Sequence, residues 1–193
     1  MRRARLLAWL TVAWNVVEAV VAIIAGAAAS SIALVSFGLD STVEVMSALV
    51  IVWQLQGLPE DRERRALRLV AVSFFTLATY VVVQSVYDLV SRSEPDTTVV
   101  GIVVAIASLL VMPLLARAKR RNGLAMASGA VVADSNQTQL CAYLSAILLA
   151  GLVLNATVGW WWADPLAAIG IAVLAFSEGR EAWRGETCDG SCG

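Results

Sequence analysis

The sequence contains no histidine, and only 15% of its 193 residues are charged, whereas soluble domains have about 25%. Histidine is the commonest acid–base group near neutral pH and the commonest metal ligand, so sites built on it are excluded. No nucleophile motif takes its place, and we therefore do not expect an enzyme. The 14 basic and 15 acidic residues nearly balance, so composition gives no support for nucleic-acid binding.

Apolar residues are abundant instead: 59% of the chain is hydrophobic, and the mean hydropathy is +0.76. The charged residues cluster between long apolar runs, each near or above the roughly 20 residues that cross a bilayer. We predict an all-α membrane protein with six transmembrane helices in the lipid bilayer. The predicted spans are Leu6–Gly26, Ile32–Gln56, Leu67–Val90, Val99–Ala116, Met126–Thr157 and Trp160–Phe176.

The basic residues predict the orientation. All of them except Arg92 precede span 1, follow span 6 or lie in the connections after spans 2 and 4. The positive-inside rule then places both termini in the cytoplasm, with the plasma (inner) membrane as the predicted location. Span 1 is longer than the apolar core of a signal peptide and contains polar residues, which argues against cleavage. We predict a membrane domain over residues 1–182 and a short cytoplasmic tail over 183–193.

Cysteine is scarce, with three dispersed copies. Cys141 lies inside span 5, whereas Cys188 and Cys192 lie in the predicted cytoplasmic tail, where a structural disulfide is not expected. The tail cysteines could bind a soft metal, although short polar tails are more often disordered. Their role is left open.

Two carboxylates in span 2, Asp40 and Glu44, are spaced i and i+4 and therefore share one face of a helix. Each charge at the centre of a membrane helix costs about 2.5–3.5 kcal/mol on insertion scales. None of the predicted spans contains a buried lysine or arginine that could pair with them. The ARAKRRNG stretch after span 4 is interpreted as a topology signal. We therefore expect a bound cation, with pairing between helices as the structural alternative.

A second polar stripe lies in span 5, where Asp134, Gln137, Thr138 and Cys141 follow helical spacing. Each residue alone would be interpreted as a hydrogen-bonding contact between helices. As a stripe facing a carboxylate pair they form a candidate half-site. Asp134 lies nearer the cytoplasmic end and could equally line an entry path.

Span 1 contributes Asn15 and Glu18 near its middle. Glu18 is either an accessory ligand or proton carrier, or a neutral acid that joins neighbouring helices by hydrogen bonds. Both alternatives stay open. Span 4 is interpreted as peripheral, and Asp164 as a structural residue at the N-terminus of span 6.

Two stretches resemble the cation diffusion facilitator family. SIALVSFGLDSTVEVMSAL is similar to its second helix, with Asp40 and Glu44 at the ligand positions, and GWWWADPLAAIGIA is similar to its sixth. Asn15 and Gly26 suit the first helix, and the likeness covers Leu6 to about Ala182. The resemblance implies a cation-efflux-type bundle of six helices, a four-ligand divalent-cation site between helices 2 and 5, exchange against protons, and a homodimer.

The resemblance departs from the family at helix 5. Placing the family's second ligand pair on Gln137 and Cys141 gives two usable ligands, whereas a shift by one places Leu140 in the site. The expected metal site is then Asp40, Glu44, Gln137 and Cys141. Its accessory or proton-pathway residues are Glu18, Asp134, Asn15 and Thr138.

The cargo implied by the resemblance is Zn²⁺, with Mn²⁺ or Fe²⁺ as alternatives because a histidine-free, oxygen-rich site is less selective for zinc. No tightly bound cofactor is expected beyond this transported cation. The cytoplasmic metal-binding domain that usually follows helix 6 is missing from this sequence, as is a histidine-rich loop. These departures keep a second hypothesis open, a non-transporting membrane metal sensor or scaffold on the same fold.

Overall fold

The computed structural model describes residues 2–54, 60–92, 96, 98–126 and 129–184. Cys188 and Cys192 lie outside these residues. In the described part every regular element is a helix. The helices are α1 (Arg2–Ala28), α2 (Ile32–Gln54), α3 (Glu60–Ser91), α4 (Val99–Ala125), α5 (Gly129–Val158) and α6 (Ala163–Arg184).

The six predicted helices are confirmed. Five of them, α1 to α5, are long and apolar enough to cross a membrane. The sixth falls short of this criterion because its 22 residues include Asp164 and, after Phe176, a charged C-terminal segment. The largest difference is in α4, which runs on to Ala125 instead of ending at Ala116. The stretch interpreted as a basic linker is therefore largely helical.

Glycines let α1 and α2 pack closely. A Cβ atom at Gly38 would lie 2.7 Å from Ile23 Cγ1 and 3.1 Å from the Ala19 carbonyl oxygen, and one at Gly26 would lie 2.7 Å from the Val35 nitrogen. No larger residue fits at these positions without separating the two backbones, as is typical of small residues between membrane helices. This close contact brings the polar residues of α1 next to those of α2.

The N-terminus of α2 is tied to that of α6. The Ser31 hydroxyl accepts the Leu34 N–H at 3.2 Å, as an N-cap residue does. Asp164 at the start of α6 accepts the Ser31 hydroxyl at 2.5 Å and the Ala33 N–H at 3.2 Å. Asp164 is thus structural, as predicted, and besides lying in the first turn of α6 it also caps the N-terminus of α2.

The second helix lies at the centre of the bundle, packed against α1, α3, α5 and α6. Leu34 and Phe37 of α2, Leu148 of α5 and Ile171 of α6 are fully buried in the shared core. Three helix pairs are the most extensive: α1 with α2, α4 with α5, and α3 with α6. Because α2 faces other helices on most sides, polar groups near its middle are buried within the bundle.

Candidate functional site

Most buried charged residues of the described chain lie on four helices, α1, α2, α4 and α5. Two hydrogen-bonded groups are formed, one around Lys119 and one around Glu18. Both reach α2, on which Asp40 is 7% exposed and Glu44 only 1%. The predicted carboxylate pair is therefore inside the bundle.

Lys119 of α4 forms a buried ion pair that the sequence did not predict. Its ammonium lies 2.8 Å from Asp134 Oδ2, and both side chains are 2% exposed. The ammonium also donates to Thr138 Oγ1 at 2.8 Å, and that hydroxyl donates to Glu44 Oε1 at 2.7 Å. The expectation that no span contributes a buried basic residue is wrong. It failed because α4 continues past the apolar run that was taken as its whole length.

The helical period of α4 explains why Lys119 points inward. The buried positions of this helix recur every three or four residues, and Lys119 continues the series. The series is Gly101, Ala105, Ser108, Met112, Ala116, Lys119 and Gly123. At Gly123 a Cβ atom would lie 3.0 Å from the Val132 nitrogen, so the missing side chain lets α4 and α5 approach beside the ion pair. The three- to four-residue recurrence was the signal that could have found both Lys119 and Ser108.

Glu18 of α1 is the centre of the second group. Its carboxylate accepts the Trp14 indole N–H at 2.6 Å and the Ser41 hydroxyl of α2 at 2.7 Å. It also accepts a short hydrogen bond from Ser108 of α4, and the Cys141 sulfur of α5 lies 3.8 Å from Glu18 Oε1. One carboxylate thus contacts all three neighbouring helices. This favours the interpretation of Glu18 as a contact between helices.

The four predicted ligands are placed unequally. Cys141 is buried and interacts with Glu44 as well as with Glu18, whereas Gln137 is half-buried and the network runs through its neighbour Thr138. Asp40 interacts electrostatically with the like charges of Glu44, Glu18 and Glu178. In the described part of the chain, no three Cys, Asp or Glu side chains are close enough to hold a metal ion. Ligation by Asp40, Glu44, Gln137 and Cys141 stays a prediction.

The remaining accessory residues take different positions. Asn15 is buried and donates to the Thr11 carbonyl of its own helix at 3.1 Å.

Beyond the apolar part of α6, burial and the neighbouring Glu181 raise the pKa of Glu178 to about 7. Glu178 lies close enough to Asp40 of α2 for the two carboxylates to repel each other.

Two buried carboxylate oxygens, Glu44 Oε2 and Asp134 Oδ1, find no hydrogen-bond partner among the described residues. Buried oxygens of this kind are normally satisfied, because an unmet acceptor loses its hydration without compensation. Carboxylate oxygens, a hydroxyl and a thiol are together suited to bind a divalent cation or to carry protons. These groups lie on α2 and α5, and cation binding between the two helices stays a prediction.

Comparison with known proteins places this arrangement in context. The model of the cation efflux transmembrane domain matches residues 65–184. An uncharacterised transporter of Synechocystis sp. is 30% identical over 152 residues, which are 73% of this chain and 49% of that protein. Transmembrane protein 163 of Xenopus laevis is 24% identical over 183 residues, 92% of this chain and 65% of that protein.

A third relative is the cation-efflux pump FieF of Shewanella oneidensis, 34% identical over 84 residues. These residues are 44% of this chain and 28% of the pump. The chain thus covers less than two thirds of the length of each of these relatives.

Proposed function

This chain belongs to the cation efflux family and is an integral membrane protein, and on that basis we propose that it transports a divalent metal cation in exchange for protons. The observation that carries the proposal is the buried pair Asp40 and Glu44 on the central helix α2. Two adjacent acids repel each other when both are ionised, and a divalent cation relieves that repulsion. The position faces α5, which supplies further polar groups.

In the proposed cycle Asp40 and Glu44 bind the cation as carboxylates while the site is open to the cytoplasm. Cys141 and Gln137 complete the set of ligands from α5. Reorientation of the helices then exposes the site to the other side of the membrane. Protonation of the carboxylates and the thiol there competes with the metal and releases it.

We propose Zn²⁺ as the cargo, with Mn²⁺ and Fe²⁺ as the alternatives. Thiolate and carboxylate ligands suit Zn²⁺ in a tetrahedral site, whereas an oxygen-rich set is also acceptable to Mn²⁺ and Fe²⁺. The proposed location is the plasma (inner) membrane with both termini in the cytoplasm, in keeping with the basic residues of the connections. A homodimer is proposed from the family resemblance alone.

One observation favours the second candidate, a membrane metal sensor or scaffold that does not transport. Lys119 already neutralises Asp134 and reaches Glu44 through Thr138. Because Lys119 compensates these negative charges, the burial of the acids can be explained without a bound cation. The two candidates differ in flux, so a transport measurement separates them.

The test is metal uptake into proteoliposomes that carry a proton gradient and enclose a metal-sensitive dye. Zn²⁺, Mn²⁺ and Fe²⁺ are compared for the wild type, Asp40→Asn and the control Asp88→Asn, which removes another buried acid on α3. We expect gradient-dependent flux that Asp40→Asn abolishes and Asp88→Asn retains. Absence of flux for every metal, from protein with an intact circular dichroism spectrum, would reject transport and favour the sensor or scaffold.

A further inference from the structure

Lys119 has no place in the transport scheme above, yet it is the most deeply buried cation of the described chain, at 1% exposure. A lysine is almost never buried without a partner, because its ammonium loses its hydration. Here Asp134 supplies the countercharge and Thr138 an acceptor, each at 2.8 Å. The ammonium thus contacts Asp134 directly and is linked through Thr138 to Glu44, an acid that the proposed function assigns to the cargo.

The hydrogen bonds of this group have a defined direction. A threonine hydroxyl has one hydrogen to donate and two lone pairs to accept with. Because Lys119 can only donate, Thr138 accepts from it, and its own hydrogen goes to Glu44 Oε1 at 2.7 Å in preference to the Asp134 carbonyl oxygen at 3.1 Å. The positive charge of Lys119 is therefore linked to Glu44 through a single hydroxyl.

The second oxygen of each acid is unused. Asp134 Oδ1 and Glu44 Oε2 are both buried, and neither has a hydrogen-bond partner among the described residues. Each carboxylate therefore keeps an unmet acceptor while its other oxygen serves the lysine network. Each of these oxygens is an acceptor that the described residues do not satisfy and that a cation could use.

We propose that Lys119 sets the affinity of the transport site: it is an intrinsic cation that interacts with the Asp134–Thr138–Glu44 group and weakens binding of the transported cation so that release is rapid. The proposal rests on the proposed transport function and assigns a role to a residue that the ligand set does not include. A positive charge close to the cargo opposes it strongly, since a poorly hydrated interior screens charges less than water does. A cargo bound at Glu44 therefore lies one hydroxyl group away from the charge of Lys119.

The alternative is a purely structural ion pair that fastens α4 to α5. The two interpretations differ in cation affinity rather than in stability alone. If Lys119 competes with the cargo, removal of its charge leaves a site that binds the cation more tightly and transports it more slowly. If the ion pair is only structural, its removal leaves the cation affinity of the folded molecules unchanged.

Three variants separate these outcomes. Lys119→Met removes the charge while keeping an unbranched chain of similar length. The double variant Lys119→Met with Asp134→Asn removes both charges, so that no unpaired buried charge destabilises the fold. Arg120→Met is the matched control, because it removes an exposed cation from the adjacent position of the same helix.

Equilibrium binding of Zn²⁺, Mn²⁺ and Fe²⁺ to the purified full chain is measured by calorimetry at one fixed pH, beside the flux assay. We expect the concentration for half-maximal binding to fall at least about tenfold in Lys119→Met, together with a lower maximal flux, and about threefold in the double variant. Arg120→Met should match the wild type in both measurements.

Each outcome decides the proposal. If Lys119→Met does not fold, the double variant alone decides: wild-type affinity there overturns the competitor role. If the wild type transports but affinity is unchanged in both lysine variants, only the role of Lys119 fails. If the wild type neither binds nor transports any of the three metals, the transport function fails and the role of Lys119 with it.

Discussion

Replacement of Glu18 by alanine should destabilise the helix bundle. The carboxylate accepts hydrogen bonds from Trp14, Ser41 and Ser108, and it thereby links α1 to α2 and α4. Hydrogen bonds between membrane helices contribute on average about 0.6 kcal/mol each and at most about 1.7 kcal/mol. Two such bonds, from Ser41 and Ser108, together with the Trp14 bond within α1 and the space left by the side chain, give an expected loss of about 2–4 kcal/mol in the free energy of unfolding.

The loss should lie in the lower half of that range. Ser41 already has a second acceptor, the Phe37 carbonyl oxygen of its own helix at 3.1 Å, to which its hydroxyl can turn when Glu18 is removed. Glu18→Gln should fall between the wild type and Glu18→Ala. A glutamine offers one acceptor oxygen, and its amide N–H groups would face the donors that the second carboxylate oxygen now accepts.

The free energy of unfolding is measured by titrating SDS into the detergent-solubilised protein while following helix content by circular dichroism. Ser108→Ala should lose about 0.5–1.5 kcal/mol. Its control is Ser145→Ala, another buried serine, whose hydroxyl donates within its own helix, to the Cys141 carbonyl at 2.7 Å. A Glu18→Ala protein as stable as Ser145→Ala would refute the linking role of Glu18. Abolished flux in Glu18→Gln at unchanged stability would instead favour a ligand or proton carrier.

Three further predictions concern packing, capping and pH. Gly38→Ala should lower the free energy of unfolding by about 1–3 kcal/mol in the same SDS titration, because its Cβ atom would lie 2.7 Å from Ile23. The control is Gly170→Ala, which should not be destabilised because its Cβ atom would have ordinary contacts at 3.5 Å. Asp164→Ala should cost about 1–2 kcal/mol through loss of the α2 cap, and no change would mean that Ser31 caps the helix alone. The pKa of Glu178 is raised from 4.5 to about 7, so the folded protein loses stability as the pH rises through that interval. The melting temperatures at pH 5 and pH 8 should therefore differ less in Glu178→Gln than in the wild type. An equal difference in the two proteins would contradict the raised pKa of Glu178.

The existence of the helices was predictable because long apolar runs mark them in the sequence. Each apolar run had to satisfy its backbone internally to be stable in a membrane, and a helix is the structure that does so. The burial of Asp40 and Glu44 on one face followed from their i,i+4 spacing in the same way. A few carboxylates in these segments do not change that outcome, because the apolar residues around them still require a helix.

The end of α4 and the position of Lys119 were missed for one physical reason. A cluster of basic residues normally marks the membrane boundary, and the sequence was interpreted on that rule. Helix formation depends on local propensity and packing, however, and both persist past Ala116: Arg and Lys are good helix formers, and Gly123 allows α5 to pack alongside. Lys119 is the member of the basic cluster that falls on the buried face, whereas Arg117 and Arg120 are exposed.

The two buried networks also constrain how the bundle can move. Glu18 joins the α1–α2 pair to Ser108 of α4, and Glu44 joins it to Thr138 of α5. The α4–α5 pair packs tightly within itself and carries the Lys119–Asp134 ion pair inside it. A relative displacement of α1–α2 against α4–α5 therefore breaks the Ser108–Glu18 and Thr138–Glu44 hydrogen bonds, while the ion pair can move intact with its own helices. The charge of Lys119 would then move away from Glu44 in the same step that opens the carboxylate to a cation or a proton.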